Sequence, residues 1–207
     1  MAREKVAVVV AHPDDETLWA GGTILANPGW DCLVAALCRK SDPDRSPRFA
    51  RATAELGAGG VMADLEDGPE QKPLPGKLVE DTVLRLLPRV EFDLVITHGP
   101  EGEYTRHRRH EEVSRAVTGL WSGGGLCTRE MWLFAYSDDG GAAPVHARPD
   151  AHRVRTLSVE QWRRKRQIIA QIYGFGPESF ESRNAPRTEA FWCFGRPEAY
   201  LEWRKGR

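Results

Sequence analysis

Residues His12-Pro13-Asp14-Asp15-Glu16 put one imidazole and three carboxylates inside five positions. Nitrogen and hard oxygen donors so close together suit a divalent, zinc-like ion, and an acid left off the metal is free to accept a proton. A second cluster runs from His98 to His110 and includes Glu101, Glu103, Tyr104 and His107. His107 and His110 stand at i, i+3, so on a helix both rings project to one face. Each cluster alone has a plainer reading. Acids after a proline cap a helix, and a pair of histidines is often only solvated. Two clusters that each follow a strand point instead to one shared site, and the chemistry they suit is metal-assisted hydrolysis.

The elements that must position these groups are legible around them. Val6 to Ala11 form an unbroken apolar run, four of them valine, which predicts a strand buried on both faces. Pro13 then stops the ladder and keeps His12 extended. Further strands are predicted near 32–38, 61–65, 92–97 and 131–136. Helical periodicity follows Glu16 and recurs at Phe49-Ala52-Leu56, Leu78 to Leu87, His110 to Leu120 and Val159 to Tyr173. Alternation of the two periods predicts an α/β three-layer sandwich with a largely parallel, Rossmann-like sheet, as a single domain over residues 1–207. In that architecture both clusters leave the carboxyl ends of strands, where open sheets bind ligands. Residues 68–76 and 137–156 read as loops.

His12-Pro13-Asp14-Asp15-Glu16, taken with Thr97-His98, Gly102-Glu103-Tyr104 and His107-x-x-His110, resembles the LmbE-like, or PIG-L-type, zinc-dependent N-deacetylases. Arg45-x-x-Arg48-x-x-x-Ala52-x-x-x-Leu56-Gly57 is similar to that family's helix after the second strand. The resemblance implies removal of an acetyl group from a small amino-sugar conjugate. It implies Zn2+ held by His12, Asp15 and His110, although other divalent first-row metals suit the same donors. It further implies Asp14 as general base and His107 as the group facing the developing oxyanion or protonating the leaving amine. Three protein ligands leave the open position of a catalytic rather than a structural zinc. The second histidine pair departs from the family pattern, which has Gly before the first histidine and Pro-Asp or Pro-Gln between the two. Here Arg106 precedes His107, and Arg108-Arg109 fill the gap, so an acid from elsewhere, Glu103, Glu111 or Glu112, would have to support His107. The arginines suggest an acidic substrate, with Arg106 and Arg108 in its binding site. Asp42 and Arg45 have two open readings, recognition of sugar hydroxyls or a local turn with salt bridges.

The totals exclude other classes. Lys+Arg 29 against Asp+Glu 30 give a net charge of −1 over 207 residues, so no overall field selects nucleic acid or an anionic membrane. No apolar run approaches a membrane span, and the short run before His12 does not read as a signal peptide. Four dispersed cysteines without a CxxC fit reduced thiols in a cytoplasmic protein. The expected partner is a small N-acylated molecule, with an oligomer compatible with the sequence. Two rival readings keep the fold: an amide hydrolase of a non-sugar metabolite or antibiotic, and a non-catalytic sugar- or nucleotide-binding module.

Overall fold

The computed structural model describes residues 3–104 and 107–207. In chain order the elements are β1 (Lys5–Val10), α1 (Asp15–Leu25), β2 (Asp31–Ala36), α2 (Arg45–Glu55), β3 (Gly59–Met62), α3 (Gly76–Leu86), β4 (Phe92–Thr97), α4 (Arg108–Ser122), β5 (Thr128–Phe134), β6 (Tyr136–Ser137), β7 (His146–Ala147), β8 (Arg153–Thr156), α5 (Val159–Gln167), α6 (Phe180–Asn184), β9 (Thr188–Phe194) and α7 (Pro197–Lys205). A seven-stranded sheet has the order β3-β2-β1-β4-β5-β9-β8. Its first five strands pair in parallel, and β9 and β8 complete it antiparallel. β6 and β7 form a separate small ribbon. Helices cover both faces, giving the expected three-layer α/β sandwich.

Every residue from Val6 to Ala11 is fully buried, which is why the run carries no polar alternation. Val6, Val8 and Val10 pack with Leu18, Trp19, Phe49 and Ile169 on one face of the sheet. Ala7, Val9 and Ala11 pack with Val83, Val113 and Val117 on the other. Strand order reverses between β1 and β4, and β1 to β4 is the topological switch point at whose carboxyl end a crevice opens. The two strands end level: Val9 pairs with Thr97, and the Thr97 hydroxyl donates to the Val9 carbonyl at 2.8 Å.

Two predicted stretches differ in detail. The helix expected over Val159 to Tyr173 changes pitch after Gln167 into a π-turn at Ile168–Ile172. There the Tyr173 N–H reaches the Ile168 carbonyl, and Arg48 caps the carbonyls of Ile172 and Tyr173 at 3.3 and 2.7 Å. The wider turn brings the Tyr173 hydroxyl to Glu16 at 2.7 Å. The loop expected over 137–156 contains β7 and β8, and β8 is an exposed edge strand of sequence Arg-Val-Arg-Thr. No helix among the described residues is long and apolar enough to cross a membrane. All four cysteines are unpaired, with Cys32 and Cys38 buried.

Candidate metal centre

β1 delivers His12, the first turn of α1 delivers Asp15, and the first turn of α4 delivers His110. Their polar atoms converge outside the switch point. His12 Nδ1 lies 3.2 Å from Asp15 Oδ2 and 3.3 Å from His110 Nε2, and His110 Nε2 lies 3.3 Å from Asp15 Oδ2. The remaining nitrogen of each ring is already committed to a carboxylate. His12 Nε2 donates to Asp67 Oδ1 at 3.1 Å, and His110 Nδ1 donates to Glu103 Oε2 at 2.6 Å. With these bonds made, His12 Nδ1 and His110 Nε2 are left facing each other and Asp15 Oδ2, where they can take a shared cation, or where His110 Nε2 carries a proton and gives it to Asp15.

The triangle also has the right size. Bonds of about 2.0–2.1 Å to a tetrahedral zinc separate its donors by about 3.3–3.4 Å. Asp15 is held for the task, its Oδ1 accepting from Trp19 Nε1 at 3.2 Å and its Oδ2 from the His12 N–H at 2.9 Å. His98 Nε2 also lies near, 3.5 Å from Asp15 Oδ2, but its lone pair accepts the Ala11 N–H at 2.9 Å. That bond obliges His98 Nδ1 to carry the proton it donates to Glu103 at 2.9 Å. His98 is thereby excluded as a ligand in this arrangement. Glu103 completes its set by accepting the Gly99 N–H at 2.9 Å. The turn that returns Glu103 needs its glycines: Gly102 has φ +76, and a Cβ at Gly99 would stand 2.6 Å from the Phe134 carbonyl.

Charge follows from these contacts. Burial would raise the Glu103 carboxyl, yet the imidazoles of His98 and His110 bring it to about 2. Burial would lower His110, but Asp15 and Glu103 on its two sides push it up to about 10. Asp15 stays ionised below its ordinary range because His110, His12 and His98 outweigh its burial. Three carboxylates, Asp15, Glu103 and Asp67, thus hold the two imidazoles in place, and the donor set fits a divalent metal.

Asp14 sits beside the triangle without joining it. Its φ of 126° is strained for a residue with a side chain, a state that surrounding structure must enforce. The Asp14 N–H donates to Glu16 Oε2 at 3.0 Å, while Glu16 is itself tied to Thr17 and Tyr173. Glu16 is thus a strut that turns Asp14 outward. Burial raises the Asp14 carboxyl well above its ordinary range, helped by Asp15, Glu16 and Glu181, while Arg45 Nη1 stands 3.8 Å away. Asp14, Arg45, Tyr104, His107, Phe180 and Glu181 line a cleft of about 500 Å³ with His12 and Asp15.

The other expected site residues fall in different places. His107 packs on His110 with ring centroids 4.3 Å apart and borders the cleft, but its Nδ1 has no hydrogen-bond partner. Burial, with His110 and His12, brings its pKa to about 3, so the ring is neutral. Arg45 lies over the Phe175 ring at 4.5 Å, and its Nη1 is likewise buried without a hydrogen bond. Asp42 accepts the N–H groups of Asp44 and Arg45, both at 2.9 Å, which is the local-turn arrangement, and it does not line the cleft. Arg108 is exposed along an adjoining groove that includes Gln71, His107 and Arg115. Arg106 lies outside the described residues. Glu103 supports His110 rather than His107, and Glu112 pairs with Arg109. Asp67, which fixes His12, escaped sequence reasoning because one aspartate in a Gly/Pro-rich segment carries no distinguishing pattern. Trp19 lies in the core and also orients Asp15.

The sequence pattern of the PIG-L, or GlcNAc-PI de-N-acetylase, family matches residues 7–121. An uncharacterized protein, L374, of Acanthamoeba polyphaga mimivirus is 23% identical over 124 residues. That match covers 53% of this chain and 55% of the viral protein, so the chain spans about half the length of that relative. Among solved structures, N,N'-diacetylchitobiose deacetylase from Pyrococcus horikoshii superposes with TM-score 0.67 at 15% identity, covering 95% of this chain and 85% of that one. GalB, the 4-carboxy-2-hydroxymuconate hydratase from Pseudomonas putida KT2440, superposes with TM-score 0.64 at 17% identity, covering 93% and 97%.

Proposed function

The chain belongs to the PIG-L, or LmbE-like, family, and from that premise we propose that it hydrolyses the N-acetyl amide of a small amino-sugar conjugate with a divalent metal, zinc by preference, at His12, Asp15 and His110. The observation that carries this reading is the convergence of two oriented imidazole nitrogens and Asp15 Oδ2 beside Asp14, an acid kept off the triangle. When bound, the metal supplies a Lewis acid that polarises the amide carbonyl and acidifies water. Asp14 takes one proton from the water that adds to the carbonyl carbon. Burial and the neighbouring acids raise its carboxyl, so it holds the proton more firmly than a free aspartate does, and it returns that proton to the nitrogen as the C–N bond breaks. The water's second proton leaves with the acid and passes to the amine, so the products are acetate and the protonated amine and both atoms and charge balance. Neutral His107 offers a ring N–H to the oxygen where negative charge develops. Arg45 Nη1, buried without a hydrogen-bond partner, offers a donor to the substrate body.

Arg45 in the cleft and Arg108 and Arg115 along the adjoining groove support a substrate with a carboxylate or phosphate. The same arginines favour one second reading, hydration of an acidic unsaturated substrate, since the hydratase GalB shares the fold. Both reactions need activated water and a base; they differ in the electrophile. The deciding experiment incubates the zinc-loaded protein with a panel of N-acetylated amino sugars and, separately, with 4-carboxy-2-hydroxymuconate. Release of a free amine supports the deacetylase reading, and exclusive loss of the unsaturated acid supports the other. Asp14→Asn should retain the metal and lose about 10²–10⁴-fold in turnover, and near-normal turnover would refute Asp14 as the base.

A further inference from the structure

Arg109 stands where the family pattern places a neutral or acidic residue between its two histidines, and it points away from His107. Its side chain is 1% exposed. Nε donates to the Glu66 carbonyl at 2.6 Å, and Nη2 donates to Glu66 Oε2 and to the Lys72 carbonyl, both at 2.8 Å. Nη1 is anchored on Glu112 Oε2 at 2.5 Å, and Glu112 Oε1 accepts the Leu74 N–H at 3.0 Å. The first two turns of α4 therefore grip the segment 66–74 at Glu66, Lys72 and Leu74. No strand or helix runs through that segment. Side-chain bonds rather than a backbone ladder determine where its residues lie.

Asp67 lies inside this gripped stretch, and it is the carboxylate behind His12. Its other oxygen accepts Arg39 Nε and Nη2 at 2.9 and 2.7 Å, and Gln71 Nε2 donates to Oδ1 at 2.7 Å. We propose that Arg109 is a positioning residue of the metal centre: from beside His110 on α4 it fixes the 66–74 segment so that Asp67 holds the opposite ligand, His12, in its metal-facing tautomer. The arginine thus links the two histidine ligands across the switch point. This inference rests on the ligand set proposed above.

The sign of the effect separates positioning from simple electrostatics. Removing a buried positive charge near a cation site should tighten cation binding, whereas removing a positioning residue should weaken it. Outer carboxylates of this kind are worth about 10–100-fold in metal affinity. Zinc affinity is measured by chelator competition on the full chain for the wild type, Arg109→Lys, Arg109→Met, Asp67→Asn and the Arg109→Met/Asp67→Asn pair. Arg109→Lys keeps a charge against Glu112 and so protects the fold, but it loses the fork to Glu66 and Lys72. The expected result is about tenfold weaker zinc binding in Arg109→Lys and a larger loss in Arg109→Met. The double variant should bind within about threefold of Asp67→Asn alone, because one residue acts through the other. Affinity within about threefold of wild type in Arg109→Lys, tighter binding, or fully multiplicative losses in the double variant would each overturn the proposal. A lower melting temperature with unchanged affinity would assign Arg109 a merely structural role and overturn it as well. Failure of the wild type to bind zinc would instead remove the ligand set itself, and this inference with it.

Discussion

Replacing Glu103 with glutamine tests the support of the centre without changing side-chain shape. Glu103 is fully buried and accepts three N–H groups, from Gly99 at 2.9 Å, His98 at 2.9 Å and His110 at 2.6 Å. A glutamine keeps one acceptor oxygen and turns a donor towards the other partners. His98 cannot adjust, because its Nε2 must stay bare for the Ala11 N–H. His110 can adjust only by moving its proton from Nδ1 to Nε2, which removes the lone pair intended for the metal. Both rings donate to Oε2 and Gly99 to Oε1, so Glu103→Gln either keeps its oxygen on the rings and sets its NH2 against the Gly99 N–H, or turns the NH2 onto the rings and opposes ligation. An unpaired buried donor costs about 1–3 kcal/mol, and in both orientations His110 also loses the carboxylate charge that supports it as a ligand. The affinity should fall by about 5- to 150-fold, which agrees with the usual weight of an outer carboxylate. Chelator competition for zinc is the assay, with circular dichroism to confirm the fold. A Glu103→Gln protein that binds zinc within about twofold of wild type would refute the tautomer argument.

Two other perturbations reach different parts of the molecule. Lys165 is fully buried on Glu189 at 2.8 Å, and Glu189 also accepts the Gly22 and Thr23 N–H groups, so Lys165→Met should cost about 3 kcal/mol and lower Tm by about 6–12 °C; an unchanged Tm in calorimetry would contradict this. Burial lowers the Lys165 pKa against the pull of Glu189, so between that lowered value and about 10.5 the unfolded chain binds more protons; this group's contribution to stability then rises with pH, and the gap between wild type and Lys165→Met in urea unfolding should widen through that window. Arg108→Ala should raise KM for a phosphorylated or carboxylated N-acetyl substrate by about tenfold while leaving a neutral one within about twofold, and equal effects would remove the acidic-substrate reading.

Much of the fold was legible because the strands of a parallel sheet carry continuous apolar runs. Val6 to Ala11 and Phe92 to Thr97 appear where expected, and the helices after them begin within a few residues of the predicted starts. The antiparallel edge was not. β8 alternates arginines on an exposed strand and lacks the composition of a buried one, while the apolar run of β9 opens on charged Glu189, which accepts α1 backbone N–H groups inside the sheet. The two motifs that follow β1 and β4 meet at the candidate site because both strands end level at the sheet edge, which brings His12, Asp15 and His110 together with Asp14 beside them. The supports were opaque for the opposite reason. Asp67 reaches His12 from a segment without secondary structure, and Arg109 turns away from the histidine it adjoins. Those contacts depend on how loops fold over the sheet edge, which one-dimensional spacing does not encode.

The most direct test of the account is where a metal binds. Crystals grown with one equivalent of zinc, with data collected on both sides of the zinc absorption edge, should show a single anomalous peak inside the triangle of His12 Nδ1, Asp15 Oδ2 and His110 Nε2, with Asp14 outside the ligand set. A peak ligated by His98 or Asp14, or no peak at that triangle while zinc is bound elsewhere, would contradict it.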